Sequence, residues 1–155
     1  MDIKIRKARS NDLLDMQKIS REVIKENYTC FMGEAAVNEF INSGMADGYI
    51  AEMIKCTTLI LLDDKIAGMC ACKENLIDLL MVDNKFHRQG VGTKLINHVT
   101  KNLFEKYDEI RLESFEENKK ANLFYDKNDW ECVEIRFDEV FGINKCYYRK
   151  LKINM

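Results

Sequence analysis

Seven consecutive residues, His87-Arg88-Gln89-Gly90-Val91-Gly92-Thr93, form the segment best suited to chemistry. They follow an apolar run of strand length at 76–82 and precede a segment in which apolar residues recur every four positions, as on one helical face. Two glycines at a strand-to-helix turn let backbone N–H groups approach a ligand closely. The helix N-terminus adds unpaired donors and a partial positive charge. The segment therefore predicts a site for a phosphate or pyrophosphate group.

Asp78 is the one charged residue in the apolar run 76–82. A carboxylate there must face a polar cavity or a partner, because burial of an unpaired charge is costly. The sequence leaves two interpretations open: a structural carboxylate bonded to backbone or to a cation, or a group that takes part in chemistry.

The composition limits the classes of protein to which these residues can belong. The chain has 155 residues, of which 46% are hydrophobic and 32% charged, and its net charge is −2. This predicts one globular domain over residues 1–155, with no electrostatic preference for nucleic acid or an anionic membrane. No apolar run is long enough to span a bilayer, and residues 1–5 lack the apolar centre of a signal peptide. We therefore expect a cytoplasmic protein.

Six cysteines are scattered through apolar segments. Without a secretion signal we expect them to be reduced and buried, and a reactive thiol at Cys30 is the alternative. The sequence has no paired C-x-x-C and only two histidines, so no metal site is expected.

The elements that position these residues follow from periodicity and turn residues, and their order, with early antiparallel hairpins and a later β-α-β crossover, predicts a mixed α/β fold. The strands are expected at 3–5, 57–62, 66–73, 76–82, 110–114, 130–137 and 145–153. The helices are expected at 12–25, with Asp12 as the cap, 34–42, 90–104 and 118–127, with a further helical turn or two at 47–55. The final strand is expected to be exposed, so that it could pair with a second subunit, and the chain is expected to be a monomer or a homodimer.

The order of elements and two motifs resemble the GNAT superfamily of N-acetyltransferases over nearly the whole chain, most strongly from Ala67 to Trp130. The first motif, R/Q-x-x-G-x-G/A after a strand that ends in Val, is matched by His87-Arg88-Gln89-Gly90-Val91-Gly92. The second is Asn118-x-x-Ala121-x-x-x-Tyr125. The departure is His87, where the family usually has Arg or Gln. Histidine is largely uncharged near neutral pH, and the neighbouring Arg88 could supply the charge.

The resemblance implies acetyl-CoA as co-substrate and direct attack of a primary amine on its thioester. It also implies a mostly antiparallel sheet of about seven strands, flanked by about four helices and splayed between its fourth and fifth strands, where the pantetheine arm inserts. Backbone groups of the fourth strand would bind that arm, and the glycine turn would bind the pyrophosphate. The residues thus expected to contact the cofactor are Met81, Val82, His87, Arg88, Gln89, Gly90, Val91, Gly92, Thr93, Asn118, Ala121 and Tyr125.

Tyr125 is the expected general acid, since a phenol at hydrogen-bond distance can protonate or stabilise the departing CoA thiolate. A tyrosine of the core is the alternative. Asp78 lies four residues before Val82, where several members of the family carry a Glu that removes the proton of the amine through water. Glu113, in the fifth strand, is the second candidate for this base. Asn118 would touch the cofactor or cap its helix.

The acceptor is predicted from charge. Residues 26–55, which the resemblance places beside the acceptor site, carry one base, Lys55, and five acids, Glu26, Glu34, Glu39, Asp47 and Glu52. An acidic rim would attract a cationic amine such as a polyamine, an aminoglycoside or a Lys side chain. An ordinary solvated helix face is the alternative.

Other functions compete with this interpretation. A non-catalytic acyl-CoA-binding or sensor domain of the same fold would show the same motifs, as would an acetyltransferase that modifies a protein Lys or N-terminus. A nucleotide-binding protein is disfavoured, because the sequence lacks a full G-x-x-x-x-G-K-[ST].

Overall fold

Seven strands form one sheet in the computed structural model, which describes residues 1–153. They are β1 (Ile3–Lys7), β2 (Thr57–Leu62), β3 (Lys65–Lys73), β4 (Leu76–Val82), β5 (Glu109–Phe115), β6 (Glu131–Asp138) and β7 (Ile143–Leu151). Their order across the sheet is β1-β2-β3-β4-β5-β7-β6. Every neighbouring pair is antiparallel except β4 and β5, which are parallel. The predicted mixed α/β fold with a mostly antiparallel sheet is confirmed.

Five α-helices cover the two faces of this sheet. They are α1 (Leu13–Met32), α2 (Glu34–Asn42), α3 (Met45–Met53), α4 (Val91–Leu103) and α5 (Lys119–Lys127). The first three pack on one face, and α4 and α5 pack on the other. The prediction of about four helices is low by one, because the expected helical turns near 47–55 form the complete helix α3. Within residues 1–153, no helix combines the length and the apolar character needed to cross a membrane.

The strand β2 shows why the sheet has a core on each face. All of its residues are buried, and successive side chains point to opposite faces. Leu59 and Leu61 belong to the cluster under α1, α2 and α3, whereas Ile60 and Leu62 belong to the cluster under α4 and α5. A continuous apolar run of this kind is typical of a strand that is covered by helices on both sides.

The strands β4 and β5 are joined only at one end. Their pairing is limited to Leu76 with Arg111 and Ile77 with Leu112, so β4 leaves β5 after Ile77. Along the rest of their lengths β4 stays paired with β3, and β5 with β7. A wedge therefore opens between the two strands, as the expected splay requires.

The first helix is longer than predicted. Its predicted end near Lys25 is wrong, since α1 continues to Met32 and stops at Gly33, whose φ is 89°. No residue that breaks helices precedes Gly33, and Tyr28 continues the apolar face on which Ile24 is buried. Cys30, the candidate reactive thiol, lies on the exposed side of this helix.

Asp12, the predicted cap of α1, makes no capping hydrogen bond with that helix. Its carboxylate instead accepts hydrogen bonds from the backbone N–H of Arg9 (2.7 Å) and from two nitrogens of the Arg6 guanidinium (2.8 and 3.1 Å). This bidentate pair joins β1 to the start of α1. The Arg6 guanidinium also holds the pKa of the Asp12 carboxyl below its usual range.

The expectation of an exposed final strand is wrong. β7 lies inside the sheet, between β5 and β6, and pairs with both. The edge strand is β6, whose residues are exposed from Glu131 to Phe137. The order along the chain does not reveal which strand of a terminal hairpin lies next to the rest of the sheet, and here it is the second.

The burial of the cysteines is predicted only in part. All six thiols are free. Those in central strands are buried or half-buried, namely Cys70, Cys72 and Cys146, whereas those on a helix surface, in a turn and on the edge strand are exposed, namely Cys30, Cys56 and Cys132.

Replacing Asp12 by Asn is expected to lower the free energy of unfolding by about 2 kcal/mol at neutral pH, because the charge-assisted hydrogen bonds from Arg6 are weakened. The folded-state pKa of Asp12 is lowered, so its contribution is present above its unfolded-state pKa of about 3.8 and is lost as the pH falls through the folded-state pKa. Urea unfolding at a series of pH values measures this difference. Asp15→Asn, at an exposed acid of the same helix, is the control, and an equal loss in both variants would contradict the role of the pair.

Candidate active site

The turn between β4 and α4 leaves backbone N–H groups without helical partners. Arg88 and Gly90 adopt positive φ values of 64° and 75°. The first hydrogen bond of α4 runs from the N–H of Lys94 to the carbonyl of Gly90 (3.0 Å), so the N–H groups of residues 91–93 precede the helical ladder. Together with the positive end of the helix dipole, these groups are suited to binding an anion.

The two glycines of the turn have different roles. A Cβ on Gly92 would lie 3.3 Å from the Phe124 ring of α5 and 3.4 Å from a methyl group of Val82. Gly92 therefore lets α4 pack closely against α5 and the end of β4. Gly90 has open space around it, so its role is conformational: its φ is positive, which glycine adopts without strain.

The side chain of His87 turns back towards β4. Its Nε2 lies 2.9 Å from the carbonyl oxygen of Val82, and the contact places a proton on Nε2, because a carbonyl oxygen can only accept. The side chain of His87 therefore contacts the end of β4. Arg88, Gln89 and Gly90 are exposed beside it.

The open edge of β4 is formed by Leu80 and Val82. The N–H of Asp83 donates to the carbonyl of Ala67, in β3 (2.8 Å). Alternate residues of a strand direct their backbone groups to opposite sides, so Met81 is also directed towards β3. The sequence predicts Met81 and Val82 as the residues that offer backbone groups to a ligand, whereas the strand register directs those of Leu80 and Val82 into the wedge.

Asp78 lies at a β-bulge of β4. Ala71 pairs with Leu79 and Cys72 pairs with Ile77, so Asp78 has no partner across the strand. A bulge bends its strand and redirects the side chain of the extra residue. This bulge comes directly after the last residue of β4 that pairs with β5.

The carboxylate of Asp78 is held by a residue that sequence reasoning missed. It accepts a hydrogen bond from the hydroxyl of Tyr49, on α3, and it lies 3.8 Å from the Lys73 ammonium group. Burial raises the pKa of Tyr49, and the bond to Asp78 raises it further, so the phenol stays protonated and continues to donate. Tyr49 precedes Asp78 by 29 residues, and no local pattern connects the two.

Glu113, the second candidate for the base, faces a cation. Its carboxylate lies 3.7 Å from the ammonium group of Lys145, which also lies 3.3 Å from the carboxylate of Asp138. Both carboxylates thus have a lysine nearby, but Lys145 keeps only 22% of its side chain exposed, whereas Lys73, beside Asp78, keeps 55% exposed and is more strongly screened by solvent.

A cleft of about 190 Å³ opens beside the point where β4 and β5 diverge. Its walls come from both strands, from α1 and from the segments around α5 and β7, with the lining residues Tyr28, Leu76, Ile77, Asp78, Glu113, Ser114, Phe115, Asn118 and Lys145. The fold thereby brings together Asp78, Glu113 and Asn118, all predicted from the sequence. The turn at 87–93 follows the opposite end of β4.

An aromatic cluster from distant parts of the chain forms one wall of this cleft, which Tyr28 and Phe115 line directly. The cluster consists of four rings whose contacting pairs have centroids 5.3–6.1 Å apart, namely those of Tyr28, Phe31, Phe115 and Phe141. Tyr28 and Phe31 both come from α1, whereas Phe115 and Phe141 come from distant parts of the sequence, which gives no signal for their contact with α1.

Tyr125 is a core residue with 8% of its surface exposed. Its ring packs against those of Tyr148, Phe124 and Trp130, at centroid distances of 5.3, 5.5 and 6.4 Å. Burial raises its pKa well above the ordinary value, and the phenol of Tyr28, which lines the cleft, raises it further. The hydroxyl therefore stays protonated at neutral pH, and a place in the core is compatible with a role as donor.

Asn118 caps α5, since its side-chain oxygen accepts a hydrogen bond from the N–H of Ala121 (3.4 Å). Ala121 and Tyr125 lie on the same side of α5 and contact the same core cluster. Because Asn118 also lines the cleft, capping and contact with a ligand are compatible.

The acids between residues 26 and 55 do not line this cleft in the described part of the chain. Asp47 binds Arg21 (2.7 Å), and Glu26 accepts a hydrogen bond from Asn84. The acids of the cleft are instead Asp78 and Glu113, which come from the sheet. The carboxylates of residues 26–55 are therefore not among the lining residues of the cleft, and the acidic rim stays a prediction.

The sequence matches the family model of the acetyltransferase (GNAT) domain over residues 16–150. Among solved structures, the PaiA N-acetyltransferase of Thermoplasma acidophilum, in complex with coenzyme A, superposes with a TM-score of 0.81 at 19% identity, covering 98% of this chain and 100% of that one. A GCN5-related N-acetyltransferase of Rhodopseudomonas palustris superposes with a TM-score of 0.84 at 16% identity, covering 98% and 97%.

Naa50 of Arabidopsis thaliana, solved with the bisubstrate analogue CoA-Ac-MVNAL, superposes with a TM-score of 0.68 at 20% identity, covering 97% of this chain and 99% of that one. No curated protein sequence matches the chain. At these identities the structural similarity concerns the fold, and the family model carries the assignment. The chain belongs to the GNAT family of acetyltransferases.

Proposed function

We propose that the chain transfers the acetyl group of acetyl-CoA directly to a primary amine. The observation that carries this proposal is the wedge between β4 and β5, with an anion-suited turn after β4 and two carboxylates in the adjoining cleft. Leu80 and Val82 direct backbone groups into the wedge, so it can receive an extended chain that carries amides, as an added strand would.

The turn and the strand edge would share the binding of acetyl-CoA. The N–H groups of residues 91–93 would bind the pyrophosphate, and Arg88 would add positive charge. Leu80 and Val82 would bind the pantetheine amides through their backbone groups. The carbonyl of Val82 can accept from His87 and from an amide at once, because it has two lone pairs. His87 would then position the strand end.

Asp78 would accept the proton of the amine. An alkylamine is protonated at neutral pH, since its pKa is about 10, and only its neutral form can attack a thioester. The carboxylate faces the cleft from a bulge, and because its side chain is short, the proton would pass to it through a water molecule. Tyr49, which donates to this carboxylate, acts as a positioning residue.

Tyr125 would donate a hydrogen bond to the departing thiolate. The pKa of a free thiol is about 8.5, whereas burial raises the pKa of Tyr125 above its ordinary value of 10. Complete transfer of its proton to a solvated thiolate is therefore unfavourable. Its main contribution would be a hydrogen bond that stabilises negative charge on sulfur in a site with little water.

The cleft favours an acceptor that carries both a positive charge and an apolar part. The carboxylates of Asp78 and Glu113 give the lining one more negative charge than the ammonium group of Lys145 offsets. The aromatic wall adds an apolar surface. A small amine, a Lys side chain and a peptide N-terminus all have this character. A non-catalytic acyl-CoA-binding domain would use the same wedge but would have no need for Asp78 or Tyr125.

Acetyl-CoA and CoA are expected to raise the melting temperature, and ATP is not. A ligand at a hundredfold excess over its Kd stabilises the folded state by about 2.7 kcal/mol, which corresponds to a shift of about 5–10 °C for a domain of this size. Differential scanning fluorimetry measures the shift. Arg88→Glu should reduce it, with Lys101→Glu at the far end of α4 as the control. Equal shifts with ATP, or none with CoA, would contradict the assigned cofactor.

Asp78→Asn is expected to lower kcat/KM about 100-fold, because the proton acceptor is lost, while the affinity for CoA stays unchanged. Glu113→Gln should cost less than about tenfold, since Lys145 already offsets that carboxylate. A thiol-release assay over a panel of primary amines measures both. A greater loss in Glu113→Gln would assign the base to Glu113, and full activity of Asp78→Asn would rule out its role.

Tyr125→Phe is expected to lower kcat about 100-fold while the protein stays folded and binds CoA, because the donor to the thiolate is lost. Tyr148→Phe is the matched control, since it removes a neighbouring hydroxyl that instead bonds to Asn122 (3.1 Å). Steady-state kinetics and CoA titrations compare the two variants. An unchanged kcat in Tyr125→Phe, or the same loss in Tyr148→Phe, would show that the phenol has only a packing role.

A further inference from the structure

The edge strand β6 is exposed along almost its whole length. It ends the sheet, and residues 131–137 are all exposed. Val133, Ile135 and Phe137 keep 47%, 50% and 63% of their surfaces exposed. An uncovered edge with apolar side chains is a template for pairing with another strand.

The side chains of β6 are arranged so that the strand complements itself. In an antiparallel pair, residues directly opposite each other lie on the same face of the sheet. If the two strands are copies related by a two-fold axis, one residue must therefore lie opposite its own copy at the axis, and we name the axis by that residue. An axis through Ile135 places Glu134 of each copy opposite Arg136 of the other, and Ile135 opposite its own copy. A β-bulge at Val133 interrupts the alternation before Glu134, so the regular match is confined to residues 134–136. Opposite charges and an apolar pair are thus matched across residues 134–136.

The neighbouring axes fail this test. An axis through Glu134 or through Arg136 would place that residue opposite its own copy, with like charges face to face. Within one copy, Arg136 lies 3.2 Å from Glu134 and stacks over the ring of Tyr147 at 4.0 Å, so both charged groups are already held on one side of β6. The axis through Ile135 extends this pair into a network of four alternating charges.

The edge strand on the opposite side of the sheet, β1, does not complement itself. The strand β1 carries Lys4, Arg6 and Lys7, and an antiparallel axis through Ile5 would place Lys4 opposite Arg6. Positive charges on an edge strand oppose pairing with a second copy. Of the two sheet edges in the described chain, only β6 complements itself.

We propose that two copies of this chain form a homodimer through antiparallel pairing of β6 about Ile135, which joins the two seven-stranded sheets into one. The interface lies next to an element of the candidate active site. Asp138, the last residue of β6, binds Lys145, and Phe141 of the following turn contacts Phe115 in the aromatic wall. Dimer formation would therefore fix the position of β6 in each copy, and β6 leads into the turn that carries Phe141 of the aromatic wall.

Sedimentation equilibrium of the full chain tests the proposal without any need for turnover. The wild type is expected to be a dimer that dissociates on dilution. E134R and R136E each place like charges opposite one another on both sides of the axis, so each should raise the dimer dissociation constant about tenfold or more. The double variant E134R/R136E restores opposite charges and should return the constant to near that of the wild type.

A mixture of the two single variants provides an independent test of the register. In a heterodimer of E134R with R136E, every Arg faces a Glu, so dimers should form in the mixture at concentrations at which each variant alone is monomeric. Native mass spectrometry separates the heterodimer from the homodimers by mass. K7E, on the opposite edge, is the control and should leave the dissociation constant unchanged.

Three results would overturn the proposal. One is a wild type that stays monomeric at every concentration, and another is a dimer that neither single variant weakens. The third is a failure of both the double variant and the mixture to recover dimers, because this would exclude the axis through Ile135. Circular dichroism and melting curves of each variant ensure that the chains compared are folded.

Discussion

Partial pairing between β4 and β5 is the constraint on which the rest of the structure depends. The strands pair only at Leu76 and Ile77, and the bulge at Asp78 begins where that pairing ends. One local irregularity therefore has two effects: it frees the edge of β4 that Leu80 and Val82 form, and it turns a carboxylate towards the adjoining cleft. Backbone groups without partners inside a sheet are costly when they are buried away from water, so a sheet keeps such a gap only where solvent or a ligand can satisfy them.

The gap persists because each side of it is attached to a different part of the molecule. On one side, β4 is paired with β3, and Met81 is buried with Met69 beneath α1, α2 and α3. On the other side, β5 is paired with β7, and Leu112 and Tyr148 are buried beneath α4 and α5. At the end of β4, Gly92 lets the start of α4 lie against Phe124 of α5 and against Val82. Closing the gap would therefore disrupt two packed cores, and protein interiors resist such deformation.

The sequence predicts those parts of the fold and the site that depend on local patterns. The turn at 87–93 is recognised because a strand, two glycines and a helix follow one another along the chain, and Asp78 because it interrupts an apolar run. Contacts between distant residues escape this reasoning: Tyr49 reaches Asp78 from 29 residues away, and Phe141 joins the aromatic wall through a hairpin. The expectation that β7 is the exposed edge strand is wrong for the same reason. The two strands have similar sequence patterns, and only the pairing of β7 with β5 shows which of them lies inside the sheet.

The two ends of β4 have opposite electrostatic character, and this orients the proposed reaction. The turn after β4 combines helix N–H groups with Arg88, whereas the cleft at the start of β4 has an excess of one carboxylate over Lys145. An anionic co-substrate and the proposed cationic acceptor would thus be drawn to different ends of the same strand before any specific contact forms. The group proposed to act between them, Tyr125, is buried, and a charged side chain at such a position would be costly. A phenol whose pKa is raised by burial avoids that cost, because it remains neutral and still donates a hydrogen bond.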